Sequence, residues 1–240
     1  PNHPEILISF LNATLKAKKK IVNVDIKKTD IEKQYIEDKY SRLDVKATTS
    51  NDEIINIEIQ LKNENNMVKR SLYYLSKMYE EQLNEKEDYS KLVRTVCINI
   101  LNFKYLKTDN FHTGYRFKEI ESNEELTDIM EVHFIEIPKL QDSSDEKDML
   151  VAWTEFLKDP ESEKVRGLEL SIEEIRQAKD ELIRMSNDST QRELYDMRAN
   201  SLRDKMSELN AAERKGIEKG REEGREEGRK EEKIKIARNM

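Results

Sequence analysis

Long apolar runs, cysteine and glycine are scarce in this sequence, and each scarcity removes a class of protein. No stretch of about 18 apolar residues occurs, which excludes a membrane-spanning helix, and the N-terminus carries no secretory signal. The single cysteine, Cys97, sits in the apolar run RTVCINILNF. It reads as a small buried hydrophobe, and neither a disulfide framework nor a thiolate metal site can be built from it. Of the six glycines, only Gly114 and Gly167 precede the C-terminal tail, so there is no glycine-rich phosphate loop. No serine stands in a Gly-x-Ser-x-Gly context. The three histidines, His3, His112 and His133, are scattered without zinc spacing, and His133 reads as a packing or capping residue. No helix-turn-helix or finger is evident. What remains is a bacterial-type cytoplasmic protein, whose start at Pro1 reads as processed or truncated.

Charge is abundant. It reaches 39% of the 240 residues against 36% apolar, so much of the chain is solvated surface. The net charge of −7 argues against nucleic acid only as an average. Residues 1–110 carry 19 Lys/Arg and 17 Asp/Glu, whereas residues 111–240 carry 24 and 33. The acidity thus belongs to the C-terminal part, and the first half, with its cluster KAKKK, can still meet phosphates.

Periodicity orders the chain. Ile6, Leu7, Phe10, Leu11 and Leu15 have helical spacing. Three strands are expected in IVNVDIKK, SRLDVKATTS and IINIEIQLK, the last two forming a hairpin through the turn residues NDE. A helix is expected from Met67 to about Asn84, then a long apolar strand in KLVRTVCINILNF and a strand pair at GYRFKEIE and MEVHFIEIPKL. This is an α/β pattern with a mixed sheet. Beyond residue 142 the pattern becomes helical. DEKDMLVAWTEFLKD ends at Pro160, and Trp153 with Phe156 is its expected core anchor. SIEEIRQAKDELIRM opens on a capping-box signature, Ser171 to Glu174, and a further helix spans about Thr190 to Leu209. The organisation read from this is a core at 1–142, a helical region at 143–210 and a charged tail at 211–240. Glycines at 216, 220, 224 and 228 make the tail a period-four repeat, polar almost all round, and so a weak helix or a disordered arm.

Alternation in the hairpin sets Asp44 on the side away from Leu43 and Val45, and Glu58 and Gln60 on the side away from Ile57 and Ile59. If those polar faces coincide, two carboxylates and an amide share one locus. Converging carboxylates repel unless one is protonated or a cation lies between them. An ordinary polar sheet face is one reading. A Mg2+ half-shell of Asp44 and Glu58, completed by waters, is the other.

RLDVKATTSNDEIINIEIQ, KRSLYYLSKMYEEQL, YSKLVRTVCINILNF and HFIEIPKL, in that order, resemble the PD-(D/E)xK nuclease-family transposases, also called recombination-promoting nucleases. The likeness runs from ILISFLNATL to about WTEFLK and returns in the Gly-Arg-Glu-Glu tail. It implies a restriction-endonuclease-like fold, with a mixed sheet flanked by helices. The implied activity is Mg2+- or Mn2+-dependent DNA cleavage of low sequence specificity, in mobile-element recombination or phage defence. On that likeness Asp44 and Glu58 are the metal-binding catalytic acids. Gln60 stands where the superfamily's general motif has Lys, and it can orient a water or a phosphate oxygen but carries no charge. Positive charge is then expected from Lys46, Lys62 or Arg70, with Arg70 and Tyr73 or Tyr74 facing the DNA phosphate. As an ordinary alternative, the tyrosines pack in the core. Family members usually carry a further segment before ILISFLNATL, and superfamily sites often draw an acid from the first helix, where only Glu5 remains. The helical C-terminal part is expected to regulate or dimerise the nuclease. An inactive nuclease-fold scaffold acting through those helices is the alternative.

Overall fold

The computed structural model describes residues 3–16, 19–27, 45–142, 144–145, 147–187, 207, 210–225 and 228. Its elements run α1 (Pro4–Leu15), β1 (Val24–Lys27), β2 (Val45–Thr49), β3 (Ile54–Gln60), α2 (Met67–Glu80), β4 (Thr95–Leu101), β5 (His112–Lys118), β6 (Glu125–Glu136), α3 (Met149–Lys158), α4 (Glu163–Glu169) and α5 (Glu173–Asn187). The chain divides into two compact units, Pro1–Glu181 and Leu182–Met240. The first contains the whole sheet. Among its described residues the second is helical at 182–187, the end of α5, and over 210–225.

The sheet is mixed and six-stranded, in the order β1-β2-β3-β4-β6-β5. β3, β4 and β6 run parallel at its centre, with β1, β2 and β5 antiparallel to their neighbours. This is the α/β, restriction-endonuclease-like architecture expected from the sequence. The strand TVCINIL is buried at every position because both faces of the central sheet are covered. Ile55, Ile57, Val96, Ile98, Ile100 and Ile135 point to one face, where α1 and α3 close over them. Phe10 and Trp153 meet edge to face with centroids 6.4 Å apart. The indole N–H of Trp153 donates to Ser9 Oγ at 3.2 Å, so the expected anchor is built from α1 as well as α3. On the opposite face Met67 and Leu75 of α2 pack on Cys97, Leu101, Val132 and Phe134. Cys97 is fully buried, as its context implies.

Local chemistry sets the boundaries. The β2–β3 hairpin turns at Ser50-Asn51-Asp52, where Asp52 takes a left-handed φ of 61° and donates its N–H to Thr49 O at 3.0 Å. α3 is capped by the Asp148 carboxylate, which accepts from the Leu150 N–H at 2.8 Å. Two helical details differ from the sequence reading. Between α3 and α5 lies α4, capped by Ser162 and too short to show a period. The expected capping box does not form: the Ser171 hydroxyl donates back to Leu168 O at 3.3 Å, and α5 begins at Glu173. The predicted helix from Thr190 to Leu209 lies almost wholly outside the described residues.

Candidate active site on the α2 face of the sheet

Period-two alternation turns Asn56, Glu58 and Gln60 of β3 away from the isoleucine face and towards α2. β4 contributes Asn99 from the same face, since Glu58 and Asn99 are register partners. The locus is therefore a polar row buried beneath a helix.

Glu58 is completely buried. Arg70, in the first turns of α2, donates its Nε–H to Glu58 Oε2 at 3.4 Å. Asn56 donates to Oε1 at 3.5 Å, and the Gln60 side chain also hydrogen-bonds the carboxylate. Burial raises the Glu58 carboxyl above its ordinary range, opposed by the charge and hydrogen bond of Arg70 and the hydrogen bonds of Asn56 and Gln60. From Glu58 the contacts continue outward. The Arg70 guanidinium lies 5.2 Å from the Tyr74 ring centroid. Tyr74 meets Tyr73 edge to face at 5.5 Å, and Tyr73 is 56% exposed. A continuous track thus leads from a buried acid to solvent.

Beneath the site the Ser71 hydroxyl donates to Asn99 Oδ1 at 2.8 Å, and Asn99 Nδ2 donates to His133 O at 3.0 Å. These bonds tie α2, β4 and β6 together under Glu58 and Arg70.

Of the residues predicted from sequence, Glu58, Gln60, Arg70, Tyr73 and Tyr74 are brought together. Lys46 also faces the α2 side, but its ammonium lies 3.5 Å from Glu81, past the C-terminal end of α2. Lys62 is half-buried just beyond the end of β3. Asp44, the other predicted acid, lies outside the described residues. Sequence reasoning missed Asn56, Asn99 and Ser71. The readable signal was an asparagine interrupting each of two Ile-rich strands, IINIEIQ and TVCINIL.

A second polar cluster occupies the isoleucine face. Glu131 is paired with Arg94 and with Arg116 Nε at 3.0 Å. It also accepts from His133 Nε2 at 2.7 Å, and His133 Nδ1 is 2.9 Å from His112 Nε2 with the rings stacked. Burial alone would raise the Glu131 carboxyl, but hydrogen bonds from His133 and Arg94 bring it to about 2. Burial and the neighbouring His133 lower His112 to about 4. His133 is thus packed, as its strand context implied.

The donors present suit a hard divalent cation, being a carboxylate and an amide oxygen without sulfur or imidazole. Among the described residues no group of three or more His, Cys, Asp or Glu side chains is arranged to hold a metal unaided. Mg2+ typically needs only one or two protein carboxylates and retains several waters, so Glu58 with one further acid fits it. No helix among the described residues is long and apolar enough to cross a membrane.

Comparison with known proteins gives no match among curated proteins or solved structures. One family profile does match, over residues 1–212, and it covers the sheet, α2 and the whole of the polar row described above. By that match the chain belongs to the PD-(D/E)XK nuclease family transposases.

Proposed function

We propose that the protein is a divalent-metal-dependent DNA endonuclease of low sequence specificity, with Asp44 and Glu58 as metal-binding catalytic acids. The observation that carries the reading is a fully buried carboxylate, Glu58, whose partners are an arginine and two amides on a sheet face roofed by a helix. A carboxylate is rarely buried unless paired or held for chemistry. Val45 stands opposite Ile57 and Lys46 opposite Asn56, so β2 runs directly beside the strand that carries Glu58.

Mg2+ or Mn2+, when bound, supplies charge for the scissile phosphate and lowers the pKa of water. The chain's own residues do the rest. Glu58 and Asp44 supply hard oxygen ligands and fix the locus. Gln60, unable to titrate, orients a water or a phosphate oxygen through its amide. Arg70 presents a guanidinium fork to phosphate, and Lys62 and Lys46 add positive charge. α2 opens with no acidic residue in its first turn, so its N-terminal dipole works in the same direction. Exposed Tyr73 offers a ring face to the DNA.

The work of such an enzyme is recombination of mobile elements or defence against phage, in the cytoplasm. The C-terminal helices form a homodimer, a reading supported by Leu182, Ile183 and Met185, which leave apolar surface exposed at the end of α5. Plasmid nicking tests the proposal. Purified protein should nick supercoiled DNA with Mg2+ but not with EDTA, and Asp44→Ala and Glu58→Gln should each abolish it. Nicking that survives both substitutions would come from elsewhere and refute the assignment. Absence of nicking by the wild type would leave a nuclease-fold scaffold acting through its helices, the reading that the acidic C-terminal part favours.

A further inference from the structure

The carboxylate assigned to the metal already has a cation beside it. Arg70 Nε lies 3.4 Å from Glu58 Oε2, and Asn56 approaches the other oxygen. A divalent ion on Glu58 must compete for a lone pair that now accepts from Arg70, and it would sit beside a guanidinium of like charge. Arg70 also has somewhere to go. Its side chain is 18% exposed, and its guanidinium is already 5.2 Å from the Tyr74 ring centroid, on the track that leads out to Tyr73. A phosphate arriving along that track offers the guanidinium a further anion, with bidentate geometry.

Resting on the reading that Glu58 ligates the metal, we infer that Arg70 is a place-holding cation which DNA removes, so that DNA and metal bind cooperatively through it. Without DNA, Arg70 neutralises the buried Glu58 and keeps metal affinity low. When a backbone phosphate docks, Arg70 turns to it, and the Glu58 Oε2 that it occupied becomes available to the ion. Linkage makes the effect reciprocal, so bound metal strengthens DNA binding by the same factor.

Calorimetric titration of Mn2+ into the full chain tests this, alone and with a saturating phosphorothioate duplex that resists cleavage. For the wild type the duplex should raise Mn2+ affinity roughly ten-fold. Arg70→Gln should bind Mn2+ more tightly than wild type in the absence of DNA and gain little when DNA is added. Arg70→Lys retains a cation, which guards against a Gln variant that fails to fold. It should match wild type without DNA but show a smaller enhancement, because an ammonium lacks the fork. Unchanged DNA-free affinity in Arg70→Gln, or full enhancement in Arg70→Lys, would overturn the inference while leaving the metal site intact. Failure of the wild type to bind Mn2+ under either condition, or binding that persists in Glu58→Gln, would refute the metal site itself.

Discussion

At the scale of the residue, the two members of the Glu58–Arg70 pair are not equivalent. Glu58 has no exposure, whereas Arg70 retains some contact with water. Removing the acid therefore deletes a buried charge and leaves a cation that can be solvated. Removing the arginine strands a buried carboxylate. In urea denaturation at neutral pH, Glu58→Gln should stay within about 1 kcal/mol of wild type, and Arg70→Gln should lose about 3 kcal/mol. The second loss should shrink as pH falls, because protonation neutralises a carboxyl that burial already raises. Equal losses for the two variants would contradict this. Glu58, Gln60 and Arg70 were legible in the sequence because alternation fixes the face of a strand residue and a helix following it must cover one face. Asn56 and Asn99 each interrupt an Ile-rich strand, but that they share a face under α2 follows only from the parallel pairing of two strands separated by that helix.

At the scale of the element, the antiparallel pairing of β5 and β6 is reinforced by an internal relay of side chains. Gly114 lies opposite His133, and a Cβ added there would stand 3.1 Å from His133 Cε1 and 3.2 Å from Nδ1. The ring cannot easily give way, because its two nitrogens are engaged by His112 and Glu131. Gly114→Ala should therefore destabilise the protein by about 1–3 kcal/mol in thermal melts; an unchanged melt would show that the ring moves freely. The relay also fixes a pH dependence. His112 titrates at about 4 when folded against 6.5 ordinarily, and Glu131 at about 2 against 4.5. Both are depressed, so the unfolded chain takes up protons first as pH falls. Stability should drop between pH 6.5 and 4 through His112 and further between 4.5 and 2 through Glu131. His112→Asn should flatten the upper window alone, and a wild-type midpoint constant from pH 6.5 to 4 would contradict the account. Strands and α2 were visible as periods of two and 3.6 residues. α4 was not, because EKVRGLE is two turns with a glycine inside, and Ser171 misled because its hydroxyl has a nearer carbonyl at Leu168.

At the scale of the whole molecule, the near-neutral first half carries the polar row and the acidic remainder carries α3, α4 and α5, so DNA contact and assembly are read as separate tasks. A chain with Leu182, Ile183 and Met185 replaced by serine should keep metal-dependent nicking but run as a monomer in size exclusion with light scattering, where the full chain is expected to run as a dimer. Equal masses for the two would place any dimer contact elsewhere. The fold class was legible because the order of helices and strands survives any error in their ends. The position of Asp44 depends on strand register, which alternation alone leaves open, and Asp44 lies outside the described residues. The most direct measurement of the central claim is anomalous diffraction from crystals of the full chain soaked in Mn2+. The account predicts one strong peak about 2.0–2.6 Å from both a Glu58 and an Asp44 carboxylate oxygen, and a protein that takes up Mn2+ with no peak beside Glu58 would contradict it.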